Sequence, residues 1–148
     1  MTKVEAEVYE VGKTEKGSVI LLQGKRTLNN KILPILCNPM QGRSIKKGLT
    51  QATSTRPQTH DLFLEILNEV GGALDEVVID DIEDGIYYAK IHISVYDNEN
   101  QKEITLDARP SDSIAIATRE RAPIYVEEKL LKEKGVPPSS FEGESQKS

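Results

Sequence analysis

The sequence predicts an α+β fold: a duplicated unit of three strands and two helices around a single curved, barrel-like mixed sheet. Three observations lead there. Short runs of β character precede runs of helical period, in the order three strands, two helices, then the same again with one small added strand. Two arginine-proline segments, Arg56-Pro57 and Arg109-Pro110, stand as matching landmarks, although one opens the second helix of its half and the other the first. A chain of 148 residues is long enough to bury one sizeable core. Residues 1–134 read as a single domain and 135–148, with Pro137-Pro138 and Ser139-Ser140, as a disordered tail.

The elements follow in order. Val4 to Val11 alternates Val4, Ala6 and Val8 against Glu5, Glu7 and Tyr9, the pattern of a half-exposed strand. Gly17 and Gly24 bracket a second strand at Ser18–Leu22, and Lys31–Cys37 makes a third in which Pro34 favours an edge or a bulge. Gln41–Leu49, with Ile45 and Leu49 four apart among bases, predicts a short amphipathic helix, and Thr50–Thr55 a loop. From Thr59 the spacing of Leu62, Phe63, Ile66, Leu67 and Val70 predicts a helix with those residues as its apolar face, ended by Gly71-Gly72. Strands at Glu76–Ile82 and Ile86–Tyr96 are joined by the hairpin signal Asp84-Gly85. A turn at Asp97–Asn100 leads to a strand at Lys102–Ala108, then come a helix at Ser111–Arg119, a brief strand at Ile124–Val126 and a helix through Lys134. Proline bars the residue before it from helix, so Thr59 and Ser111 are the expected N-caps.

The net charge of −5 argues against a polyanion partner only on average. Between Lys16 and His60 stand eight bases (Lys16, Lys25, Arg26, Lys31, Arg43, Lys46, Lys47 and Arg56) and no acid. Of the 24 acidic residues only Glu5, Glu7, Glu10 and Glu15 precede that stretch. Such asymmetry points either to nucleic acid or to attraction between basic and acidic surfaces of the fold or of its copies. A single cysteine, Cys37, excludes an intrachain disulfide and reads as a small core residue. No apolar run approaches the ~20 residues of a membrane span, and the N-terminus is charged where a signal peptide needs an apolar core, so a cytoplasmic protein is expected.

Most of the chemistry gathers at the two arginine-proline segments. His60 and Asp61 point about 100° apart on a helix and cannot form a relay alone, but they can share a pocket with Asp107, Arg109 and Asp112. Carboxylates around a divalent cation, a histidine base and arginines on a phosphate would make a phosphodiester-cleaving site. The competing reading is structural: an Asp in a first helical turn is stabilised by the helix dipole, and a strand-end Arg pairs with a buried Asp. His92 reads as an ordinary histidine on a strand's polar face, and the acids from Asp75 to Asp84 lack the rhythm of a calcium loop. There is no phosphate-binding loop, dinucleotide fingerprint or zinc spacing, and aromatic residues, at 5%, give little stacking surface.

Four segments together resemble the bifunctional nuclease domain family: Leu33-Pro34-Ile35, Arg56-Pro57-Gln58-Thr59-His60-Asp61-Leu62, Asp107-Ala108-Arg109-Pro110-Ser111-Asp112-Ser113-Ile114-Ala115 and Pro123-Ile124-Tyr125-Val126. The match spans roughly residues 4–133. The resemblance implies a nuclease acting on DNA and RNA and a duplicated three-strand, two-helix fold. It implies His60, Asp61, Asp107, Arg109 and Asp112 as the positions to test for catalysis, with Arg56 and Arg119 as phosphate holders; Arg109, Lys46 and Lys47 are expected on the phosphate as well. Where the family carries Ile-Gly and then Glu-Ala, this chain has Cys37-Asn38 and Gln41-Gly42; a glutamate acting as ligand or base could not be replaced there. The expectation is therefore a metal-assisted nuclease, with Asp61, Asp107 and Asp112 holding Mg²⁺ or Mn²⁺, in a homo-oligomer with no organic cofactor. Its rival is a noncatalytic oligomeric binding or regulatory module in which the Arg-Pro-Asp segments lock the fold.

Overall fold

A computed structural model describes residues 2–26, 30–52 and 55–141. Thr53 and Ser54 of the expected loop, and residues 142–148 of the expected tail, lie outside the described residues.

The first three strands, β1 (Lys3–Thr14), β2 (Gly17–Gly24) and β3 (Ile32–Cys37), form an antiparallel meander. Helices α1 (Pro39–Thr50) and α2 (Thr59–Glu69) follow. A second meander, β4 (Gly72–Glu83), β5 (Ile86–Asp97) and β6 (Asn100–Ala108), leads into α3 (Pro110–Glu120), β7 (Ile124–Glu127) and α4 (Glu128–Lys134). The element order matches the one read from sequence. The seven strands lie in the order β3-β2-β1-β7-β4-β5-β6, so β7 joins the two meanders, antiparallel to β1 and parallel to β4. The sheet is mixed and not closed, with β3 and β6 at its ends.

Irregular spacing of the apolar residues is absorbed by β-bulges. In β4 the inward residues Leu74, Val77, Ile79 and Ile82 are three, two and three apart, and the register shifts fall between Leu74 and Glu76 and between Ile79 and Asp81. In β1 a shift between Val8 and Glu10 carries the inward face from Ala6 and Val8 to Val11. Each bulge adds a residue to one strand, restores the inward phase and increases local twist. The β4–β5 turn takes left-handed conformations at Asp84 (φ 52°) and Gly85 (φ 79°), as a two-residue hairpin requires.

The core lies between the sheet and α3, whose Ile114, Ala115, Ile116 and Ala117 are buried together with Ile45 of α1, Val77 and Ile79 of β4, and Ala89 and Ile91 of β5. Alpha helix α2 turns Phe63, Leu64 and Leu67 inward and leaves Leu62, Ile66 and Val70 exposed, so only part of its expected apolar face is core. The N-caps also differ from expectation. They are Gln58 for α2 and Arg109 for α3, each one or two residues before the expected Thr59 and Ser111, with extended backbone angles. Order extends past Lys134: Val136 exchanges two backbone hydrogen bonds with Ile32 on the outer edge of β3, tying the start of the expected tail to the sheet.

Candidate active site

Helices α1, α2 and α3 meet around one guanidinium. Arg119, in the last turn of α3, donates from Nε to Asp61 Oδ1 (2.8 Å), from Nη1 to the carbonyls of Ser44 (3.0 Å) and Ala115 (2.9 Å), and from Nη2 to Ser44 Oγ (3.0 Å) and Gln58 Oε1 (2.8 Å). All five N–H groups of an arginine are thereby used. The side chain is 10% exposed. Arg119 is therefore a clasp between the three helices, with its donors engaged by protein groups.

His60 sits against this clasp in the first turn of α2. Its Nδ1 lies 2.7 Å from Ser44 Oγ and its Nε2 lies 2.9 Å from Asp112 Oδ1. Asp112 in turn accepts from Arg109 Nε at 2.8 Å. Burial alone would push the Asp112 carboxyl up, but its hydrogen bonds to Arg109 and His60, and their charges, outweigh burial and hold it below the usual carboxylate range. An ionised Asp112 only accepts, so in the neutral ring Nε2 carries the hydrogen. Ser44 Oγ already accepts from Arg119, which leaves its own hydrogen for His60 Nδ1. The result is a serine–histidine–aspartate series with a second carboxylate, Asp61, behind it.

Asp61 closes the start of α2. Its Oδ2 accepts from the backbone N–H of Gln58 (2.8 Å) while its Oδ1 holds Arg119. Here too burial raises the carboxyl, and the Gln58 and Arg119 hydrogen bonds with the charges of Arg119 and His60 lower it further, to a net depressed value. A carboxylate at N3 satisfies an amide that the helix leaves open and complements its dipole.

Of the expected site residues, His60, Asp61, Asp112, Arg109 and Arg119 come together. Asp107 goes elsewhere: it faces Lys90 across β5 and β6, with Lys90 Nζ at 3.3 Å, and Lys90 also reaches Asp80 at 3.6 Å. Arg56 and Lys46 are exposed, and Lys47 lines a surface hollow with Asp61 and Arg119. The three carboxylates expected to hold Mg²⁺ or Mn²⁺ are thus divided among Arg119, Arg109 and Lys90. Among the described residues no three His, Cys, Asp or Glu side chains gather as a metal site. The donor set does not fit a cation, which would have to displace two guanidinium groups.

Ser44 and Gln58 were not singled out by the sequence. Ser44 lies beside the Ile45 that signals α1, and Gln58 lies inside the Arg56–Leu62 motif; both matter through contacts made only when α1 and α2 dock on α3. Gln41 proves to be a capping residue: its Oε1 accepts from the Asn38 N–H and Asn38 Oδ1 accepts from the Gln41 N–H, both at 2.8 Å. Glutamine performs that task as well as glutamate does. Burial pushes the Cys37 thiol up, which suits a packing residue and not a nucleophile. His92 bonds Thr105 Oγ1 across the strands at 3.1 Å, as an ordinary polar-face histidine does.

With this fold and these motifs the chain belongs to the bifunctional nuclease domain family, whose family model matches residues 20–139. Among its relatives, an uncharacterized protein found in two strains of Mycobacterium tuberculosis is 33% identical over 136 residues, covering 92% of this chain and 77% of the relative. Bifunctional nuclease 1 of Oryza sativa subsp. indica and a bifunctional nuclease of Oryza minuta are each 28% identical over 105 residues, 71% of this chain but 31% of theirs. No helix among the described residues is long and apolar enough to cross a membrane.

Proposed function

We propose that the chain hydrolyses phosphodiester bonds in DNA and RNA, with His60 carrying the proton, Asp112 steadying the ring and Arg109 holding the phosphate. The observation that carries this reading is the His60 ring held between Ser44 and Asp112 beside an arginine whose head faces solvent. Exposure supports these roles. Ser44 is 6% exposed and the Arg119 side chain 10%, whereas the side chains of His60, Asp112 and Arg109 rise through 16% and 32% to 67%. The inner pair fixes the ring, and the outer edge meets substrate.

On this reading water is the nucleophile. Its oxygen bonds phosphorus as the bond to the leaving oxygen breaks; His60, both of whose ring nitrogens are engaged at rest, takes the water's proton at Nδ1 once the Ser44 hydroxyl has turned away, and returns one to the leaving oxygen. Ionised Asp112 stabilises the imidazolium in between, and Arg109 balances charge building on the phosphoryl oxygens. Membership of a nuclease family and the nuclease names of the rice relatives support the substrate class. The test is cleavage of single-stranded DNA and RNA in chelated buffer. His60→Ala is expected to lower kcat by at least about 100-fold, the size of a general acid–base contribution. Arg109→Ala should chiefly raise KM, and Ser44→Ala should retain activity, because the buried hydroxyl positions the ring and is not the attacking group.

A second reading draws on the burial of Ser44 and on the complete use of Arg119. In it the same network only locks three helices together in a noncatalytic, oligomeric binding or regulatory module. Wild type would then cleave nothing, and His60→Ala would lower the melting temperature alone.

A further inference from the structure

We propose that the cleft between β3, the β4–β5 turn and the start of α3 takes one unpaired nucleotide of a single strand, its phosphate on Arg109 and Ser111 and its base against Leu36, Ile86 and Tyr87. The proposal rests on the nuclease reading and names what that site selects. The cleft has a volume of about 480 Å³ and is lined by residues of both meanders, a size usual for a small-molecule site.

Three donors converge at its polar end. Arg109 uses Nε on Asp112, and among the described residues its Nη1 and Nη2 have no partner. Ser111 is 5% exposed and lines the cleft, yet among the described residues its Oγ has no hydrogen-bond partner. Its Oγ is not among the buried atoms left without a partner, so it reaches solvent and is free to donate to a ligand. Ser111 is also the second residue of α3, where the backbone N–H groups have no intrahelical acceptor. An anion satisfies all three.

The other end is apolar. Leu36 and Ile86, 62% and 61% exposed, line the cleft together with Tyr87 and Arg109. Burial pushes the Tyr87 phenol up, so it stays neutral beside a phosphate. An anion alone would leave this wall wet; a nucleotide covers it, with an aromatic ring available for stacking. A base already paired in a duplex has its faces stacked and cannot enter without being flipped out. Because Arg109 and His60 share Asp112, a phosphate on Arg109 stands next to the proton carrier.

The experiment is titration of the full chain with 5′-AMP, adenosine and inorganic phosphate, followed by backbone amide NMR shifts. The expected result is that 5′-AMP binds at least tenfold more tightly than either fragment and shifts the amides of Leu36, Ile86 and Ser111. Ile86→Glu, at an exposed hairpin position, should weaken 5′-AMP at least tenfold with its melting temperature unchanged, and Ser111→Ala should weaken phosphate-bearing ligands only. If 5′-AMP leaves those amides unmoved, binds Ile86→Glu as tightly as wild type, or binds no better than phosphate, the proposal is overturned. Cleavage with 5′-AMP bound elsewhere removes the cleft and spares the nuclease reading. Binding in the cleft by a protein that cleaves nothing removes the nuclease reading and keeps the nucleotide site.

Discussion

Asp112 accepts a hydrogen bond from His60 on one oxygen and from Arg109 on the other, and its carboxyl is held below the usual range. Because the folded value lies below the unfolded one of about 3.9, Asp112 contributes stability at higher pH. That contribution is complete above roughly pH 5 and is lost as pH falls through the depressed folded value. Asp112→Asn should therefore melt lower than wild type near pH 7 and converge with it at the acid end. Equal spacing of the two melting curves from neutral to strongly acid pH would show that the carboxylate charge is not what is stabilised. Asp107 shows the limit of reading at this scale. Its place beside Arg109 in sequence suggests a shared site, but strand register sets it opposite Lys90, and register is not visible in a motif. Asp61 and Asp112 were legible as helix-start carboxylates, and Ser44 was not legible at all, since a serine beside a core isoleucine has no signature of its own.

Helix α1 positions Ser44 through its cap and through a close crossing with α3. Gln41→Ala removes half of the reciprocal cap with Asn38 and should lower stability by ~1 kcal/mol, whereas Gln41→Glu, which keeps the acceptor, should not. Gly48 marks the crossing. A Cβ there would collide with the Thr118 side chain and come within 3.3 Å of the Ala115 carbonyl. Gly48→Ala should therefore cost about 1–3 kcal/mol, as overpacking does, and loosen the Ser44–His60 contact; calorimetry and the His60 ring signals in NMR would measure both. The strands and helices themselves were largely legible, because period-two and helical runs are local. Bulges were not: the three-residue gaps at Leu74–Val77 and Ile79–Ile82 break alternation, and only the neighbouring strand explains them.

At the scale of the whole molecule, the order of elements was readable, whereas whether the sheet closes was not, because closure depends on how far two meanders curl around β7. The apolar residues of α2 illustrate the same gap. Leu62, Ile66 and Val70 continue the helical period of Phe63 and Leu67, and period alone does not say which of two adjoining stripes is buried. Their exposure, 48%, 64% and 58%, gives the expected homo-oligomer a surface to use. Sedimentation should find wild type above monomer mass and Ile66→Glu at monomer mass; a monomeric wild type would remove self-association from the account.

The central proposal is that the three-helix network is a hydrolytic site that works without a metal. The most direct measurement is the rate at which purified wild type cleaves single-stranded RNA and DNA in the presence of chelator. It predicts multiple turnovers in chelator, abolished in a His60→Ala protein that remains folded. Wild type that turns over only when Mg²⁺ or Mn²⁺ is restored, or that turns over under neither condition, would contradict it.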